Sequence, residues 1–556
     1  MKGLTFQTKF AIDYSSSYAE SYENEYAVYA PSWYTYEGNN VIGSLTKYGE
    51  DRKNGEQNLG NSWNEQTMAF SAQFNYNTTI NDDHNVSAIL LGAGHQSTET
   101  GVYHKTSNAN LGLLLAYNYQ HKYYADFSSA LVYSAKMAPK KRAAFSPTLT
   151  LGWRISDEAF LKDSPVVDNL KLTLAAGILH TDLDFDSYYM YQGYYSQTDG
   201  SYYGWKDGVS TLQTTNSRRG DNPELGFVKR KELNVGLEAS LWKNLVNVNA
   251  NFFINRMEGM PIQSDILYPN WLKTGYPITS DFIPYVNYNV DQRLGVDFAV
   301  NLNKHIGQVD FTLGMTGTYF KSKAIKRAEL YDDAYQNRTG KPLDGLWGLK
   351  SNGLYQSEED ITSYGVTSSF GELKPGDIKY IDQNGDGVID SKDEVYLGRA
   401  GWSGAPFAFG INLTAKWKNF TFFARGTGSV GSYGMKDNSY YQVYGDRKYS
   451  EVVLNRWTEA TKATATYPRL TTLSGDHNFH SSDFWLYKAN RFDLTKVQVS
   501  YDIPYQVLKR TFVRTLGVYI SGENLLTIAK ERKLMEMSVG GTPQCRFFNI
   551  GVKASF

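Results

Sequence analysis

Cysteine is all but absent: Cys545 is the single one in 556 residues. One thiol excludes an internal disulfide and any Cys-based metal site. Proline is sparse, at 15, so few positions interrupt strand pairing. Neither sign of charge dominates, and a formal net charge of -1 gives no support to nucleic-acid binding, which needs a basic surface. The 8 histidines are scattered. Neither HExxH nor G-x-S-x-G occurs, so no enzyme signature is present. The glycine-rich GTGSVGSYG (426–434) follows a strand-like segment and opens no helix that could receive a phosphate. Apolar runs are short too. The longest, SAILLGAG and NLGLLLAYNY, fall well below the roughly 20 residues of a membrane-spanning helix. The opening MKGLTFQTKFAIDY has no apolar h-region and no small-residue cleavage site. It implies either a cytoplasmic protein or the later part of a longer one.

What is present is alternation. In LVNVNANFFINR (245–256), Val246, Val248, Ala250, Phe252 and Ile254 share one side of a period-2 pattern. Asn247, Asn249, Asn251 and Asn255, with Phe253, share the other. That is a β-strand with two chemically different faces. Segments of this kind recur from Leu4–Tyr14 to Phe547–Phe556, about 16 in all and roughly 10 residues each, the length of a tilted membrane-crossing strand. Helical segments are expected only at Glu451–Lys462 and, as one turn, at Asp157–Asp163. Short turns such as NDDHN (81–85), HKY (121–123), KN (243–244) and KN (418–419) follow every second strand. The intervening connections, 15–64, 182–228, 258–290, 321–405 and 429–490, are long and polar. A soluble sandwich has no reason to collect its short loops at one end, whereas outer-membrane barrels do so systematically. The expected fold is therefore all-β: a transmembrane antiparallel β-barrel of about 16 strands with long extracellular loops. Its asparagines face a wet lumen, and Val248, Phe252 and Ile254 face lipid. The repeated WKN (242–244 and 417–419) fits tight interfacial turns.

Particular segments carry a family likeness. GWRISDEAFLKD (152–163), NPELGFVKRKELNVGLEASLW (222–242), GLWGLKSNGLYQSEEDI (345–361), GDIKYIDQNGDGVIDSKDE (376–394), DFWLYKANRFDLTKVQVSYDIP (483–504) and SGENLL (521–526) resemble the SusC/RagA family of TonB-dependent outer-membrane transporters. The resemblance spans nearly the whole chain, 1–556, as the later barrel of that family. It implies residence in the bacterial outer membrane and energised uptake of a glycan or oligopeptide. It also implies a SusD-like surface lipoprotein as lid and the TonB complex as energy source. The family's signal peptide, TonB-contacting segment and plug have no counterpart in these residues. Barrels of this class have 22 strands, which leaves about six unaccounted for and implies a C-terminal portion or split product. The final strand FNIGVKASF resembles the signal read by the barrel assembly machinery, with Asn549, Gly551, Ala554 and Phe556 in its pattern. The competing readings are a surface barrel for adhesion or partner binding, and a soluble carbohydrate-binding β-protein.

Two groups are candidate sites. In DQNGDGVIDSKD, Asp382, Asn384, Asp386, Asp390 and Asp393 stand at positions 1, 3, 5, 9 and 12 of a calcium loop. Val388 would offer its carbonyl, and Gly387 the sharp turn. An Asp at position 12 and an extended GDIKYI before the loop depart from an EF-hand. The plainer reading is an Asx-rich loop holding its own backbone. The second group is aromatic: Trp33 and Tyr34; Tyr188, Tyr189, Tyr194, Tyr195 and Trp205; and Tyr440 and Tyr441. Aromatic faces stack on sugar C–H faces, but they also pack loops and anchor partners.

Overall fold

A computed structural model describes residues 3–22, 25–52, 57–197, 202–204, 211–213, 215–274, 280–401, 404–445, 447, 449–472, 477–533 and 545–556. All sixteen alternating segments are strands of one antiparallel sheet, each bonded to the next in chain order. They are β1 (Leu4–Tyr22), β2 (Gln57–Ile80), β3 (His84–Glu99), β4 (Thr106–Tyr119), β5 (Tyr123–Ser134) and β6 (Ala143–Arg154). Next come β7 (Val167–Thr181), β8 (Val228–Leu241), β9 (Val246–Ile262), β10 (Val286–Ile306) and β11 (Val309–Lys326). The last are β12 (Phe407–Trp417), β13 (Phe420–Val430), β14 (Arg491–Asp502), β15 (Thr515–Ala529) and β16 (Phe547–Ser555). Among the described residues no ladder joins β1 to β16.

The register assigns the two faces, because residues directly opposite each other on neighbouring strands share a side. Leu115, Phe127, Leu149, Ala176, Leu233, Ile254 and Leu294 form one row across β4 to β10. The adjacent row, Ser128, Thr148, Gly177, Glu232, Asn255 and Arg293, lies on the opposite face. Large side chains of the apolar face stay open, with Leu115 at 44% and Leu149 at 48% exposure. A continuous apolar face of that extent needs lipid or protein against it. On β10 to β14 this face carries rings in file: Phe298 stacks near Phe407, Phe407 on Phe409, and Phe409 near Phe492. The rings lie over Gly317, Gly428 and Gly426, where an added Cβ would strike them, so aromatics fill what glycine leaves open.

The turns keep their predicted sides. Asn81, Asp82, Gln120, His121, Lys243 and Asn244 all have positive φ, the geometry tight hairpins require. Three readings change. Residues 15–64 are not a loop: β1 and β2 continue to Tyr22 and Gln57, and Val28–Tyr36 pairs with Asn39–Tyr48 as a further hairpin. The reason is that pairing satisfies backbone N–H and C=O groups whatever the side chains, and it continues past a register shift between Ser17 and Ala19. Two connections on the long-loop side, 100–105 and 135–142, are short. Glu451–Asn455 is a 3-10 turn rather than a longer helix. Among the described residues the one helix of about two turns is Glu358–Tyr364, where Ser357 accepts the Asp360 N–H and Gly365 closes the end at φ 76°.

Candidate functional site

The two longest connections, between β11 and β12 and between β13 and β14, fold together into a cap. Leu349, Ile378, Tyr380 and Ile389 from the first pack with Val443, Tyr467 and Trp485 from the second. Polar ties cross the same seam: Asn478 donates to Asp377 at 2.7 Å, and Arg469 pairs with Asp377 at 2.7 Å. His477 is buried between them. Its Nε2–H donates to the Ile378 carbonyl at 2.8 Å, so Nδ1 accepts from the Ser368 hydroxyl at 2.8 Å. Burial holds its pKa below the ordinary histidine value.

The acidic loop sits on this cap, and its carboxylates turn onto their own backbone. Gly385 and Gly387 donate N–H to Asp382 at 2.7 and 2.8 Å. Asn384 accepts from Asp386, Asp386 from Val388, and Asp390 from Lys392. Asp393 is buried and accepts from Gln383 and Asp390 at 2.7 and 2.9 Å. The Val388 and Asn384 contacts keep Asp386 below the usual carboxylate range, while burial pushes Asp393 up. Val388 belongs to a short parallel ladder with Thr367, and Ile378–Tyr380 before the loop is extended. Among the described residues no group of three or more His, Cys, Asp or Glu side chains is placed to hold a metal ion. The geometry is that of the Asx-rich loop.

The aromatic candidates fall into three separate places. Trp33 and Tyr34 lie on the exposed hairpin, at 62% and 53% exposure. Tyr440 and Tyr441 stack edge-on at 4.9 Å against the cap core. Tyr188 and Tyr189 belong to the β7–β8 connection, and there the structure adds two residues that the sequence reading did not single out. His104, from the short β3–β4 turn, meets them at 5.2 Å from Tyr188 and 5.4 Å from Tyr189, and Tyr103 stands edge-on to His104 at 5.0 Å. Tyr188 donates its hydroxyl to the Lys105 carbonyl at 2.7 Å. Tyr189 sits at φ 60°, an uncommon conformation for a bulky residue. Arg219 holds it there, donating to the Tyr189 carbonyl at 2.9 Å and to Gln192 at 2.7 Å. Tyr194 lies under Arg219 at 5.8 Å and, like Tyr195, is exposed. Trp205 lies outside the described residues. Nothing in the sequence spacing links His104 to Tyr189; only the fold brings them together.

The inner wall supplies a third feature. On β8 to β13 a concave region of about 780 Å³ is lined on its polar side by Glu238, Asn249, Asn251, Asp297, Thr316 and Thr427. Gly314 in the same wall lies between Asn301 and Asn412, and a Cβ there would stand 2.8 and 2.7 Å from their Oδ1 atoms. The wall offers hydrogen bonds from both neutral and charged groups.

No family model matches the chain. Among curated proteins, TonB-dependent receptor P26 of Formosa agariphila is 24% identical over 437 residues, covering 74% of this chain and 41% of that protein. TonB-dependent receptor SusC of Bacteroides thetaiotaomicron is 23% identical over 465 residues, covering 80% and 43%. The solved RagAB peptide transporter superposes on 96% of this chain with a TM-score of 0.69 and 17% identity, over 57% of its own chain. The chain resembles SusC/RagA barrels in sequence and fold. That likeness places it in the outer membrane, and of its two faces the apolar row at Leu115–Leu294 is the one suited to lipid. The chain spans less than half the length of these two curated relatives.

Proposed function

We propose that the chain forms wall and mouth of an outer-membrane importer for a glycan or an oligopeptide. TonB supplies the energy, and a SusD-like lipoprotein closes the extracellular side. The observation that carries this is the pairing of a polar, concave inner wall with a built extracellular end, in a sequence similar to TonB-dependent receptors. Asparagine, threonine and carboxylate side chains on the wall recognise hydroxyls and amides alike. The shelf of Tyr103, His104, Tyr188 and Tyr189 presents ring faces on which a sugar can stack. No step of the reading needs a covalent or redox reaction.

Uptake of labelled glycans and peptides by cells with and without the gene tests the proposal. Loss of energy-dependent uptake of at least one class, reproduced by disabling TonB, is the expected result. Unchanged uptake across both panels, with loss of attachment to a surface instead, would favour an adhesion barrel.

A further inference from the structure

The outward face of the sheet changes character at the extracellular end of β8 to β11. On β8 the outward residues run Leu237, Val235 and Leu233, then Lys231 and Lys229. On β9, Ile254 is followed by Arg256, and on β11, Tyr319 by Lys321 and Lys323. Lys321 and Lys323 are exposed, while Ser322 between them and Ala324 after them are buried, so the lysines lie on the face opposite Ser322 and Ala324. One acid interrupts this strip: Glu258, bonded by Lys231 at 2.6 Å and Arg256 at 3.0 Å. Lys229, Lys321 and Lys323 make no ion pair among the described residues. Next to Lys229 a hollow of about 390 Å³ is lined by Lys140, Lys141, His180 and Phe227 together with Glu224 and Glu258, and Glu224 is paired with Lys141 at 2.8 Å. The corresponding outward positions on β2 to β6 are Gln66, Gln96, Ala109, Tyr133 and Ala143. The cations therefore mark one sector of the rim.

We propose that this sector is a binding site for a phosphorylated lipid headgroup of the outer leaflet. The phosphate oxygens accept from Lys229, Lys231, Arg256 and Lys321, and the acyl chains lie on Leu233, Ile254 and Leu294. The strip is continuous with the apolar face, so its ligand must satisfy cations and hydrocarbon at once. An amphiphile does this; a soluble phosphate reaches only the cations. Long basic side chains at such a boundary keep their charge at headgroup level while their stems lie on the apolar surface, and each adds to the attraction of anionic lipid. The inference rests on the outer-membrane reading.

The test extracts the protein from the outer membrane with its surrounding lipid and quantifies bound lipids by mass spectrometry. A combined Lys229→Gln, Lys231→Gln, Arg256→Gln, Lys321→Gln variant should retain at least tenfold less phosphorylated lipid and unchanged neutral lipid. Replacing the three lysines by arginine should restore retention, which separates charge from misfolding. Lys304→Gln and Lys418→Gln, at the opposite rim, should leave it unchanged. Inorganic phosphate at millimolar concentration should not displace the lipid. Equal lipid retention by the glutamine variant and the parent, or displacement by inorganic phosphate, would overturn the site. Absence of the parent protein from the membrane fraction would instead refute the membrane reading beneath it.

Discussion

At the scale of single residues, parity along a strand decides what a side chain meets. Val248 and Asn249 are neighbours in sequence and lie on opposite faces of β9, opposite Ala239 and Glu238 respectively. Val248→Arg near the midplane should cost about 2–4 kcal/mol of barrel stability, while Asn249→Arg on the wet side should cost far less. Equal loss of heat-modifiable folded protein from both would show the faces to be misassigned. Tyr189 gives a second residue-level expectation. Holding a bulky side chain at φ 60° costs on the order of 1–3 kcal/mol, and Arg219 offsets that through the Tyr189 carbonyl. Tyr189→Gly keeps the backbone without strain and removes the ring. It should leave the fold intact and weaken binding of the imported ligand; unchanged affinity would assign the ring to loop packing. In the acidic loop, Asp382→Ala removes acceptors for two N–H groups and should destabilise the cap by about 1–3 kcal/mol. Calorimetry on the parent decides whether Ca²⁺ also binds there; a Kd above millimolar would leave the loop purely structural.

Elements show what was legible and what was not. The sixteen strands could be read because period-2 alternation is written into each segment, as in Val246–Ile254. The short turns could be read because Asn and Lys at 243–244 tolerate positive φ. The cap could not. Its core joins Ile378 to Trp485 across 107 positions of chain, and no local period announces such a pairing. The reach of β1 and β2 to Tyr22 and Gln57 also escaped, since polar, aromatic-rich strands above a membrane look like loop composition. The cap carries its own pH dependence. His477 is neutral when folded, with its pKa lowered by burial while Asp377 opposes and Arg469 and His480 reinforce that shift. The unfolded chain therefore takes up a proton first, near the ordinary histidine value of about 6.5. The contribution is complete above that value and is lost as pH falls from there toward the folded pKa. Protection factors over 345–389, taken relative to intrinsic exchange at each pH, should fall as pH drops below about 6.5. In His477→Gln that fall should flatten; an unchanged profile would remove His477 as its source.

At the scale of the whole molecule, we read one sheet as the boundary between two solvents. Its outward rows are apolar and exposed, its inward rows polar, and its extracellular end is built up while the other end is closed by tight turns. The aromatic candidates did not merge into one site, because long loops are placed by packing that sequence spacing does not encode. The tyrosines at 188–189 meet His104, whereas Trp33 and Tyr440 lie elsewhere. The sidedness of the wall stands apart from any particular ligand and can be measured directly. Spin labels at Val248→Cys and Asn249→Cys, in a Cys545→Ser background in outer-membrane vesicles, report contact with oxygen dissolved in lipid and with a water-soluble nickel chelate. The account predicts oxygen contact at position 248, chelate contact at 249, and the same alternation on through 250–254. Chelate contact at both positions, with no alternation, would contradict it.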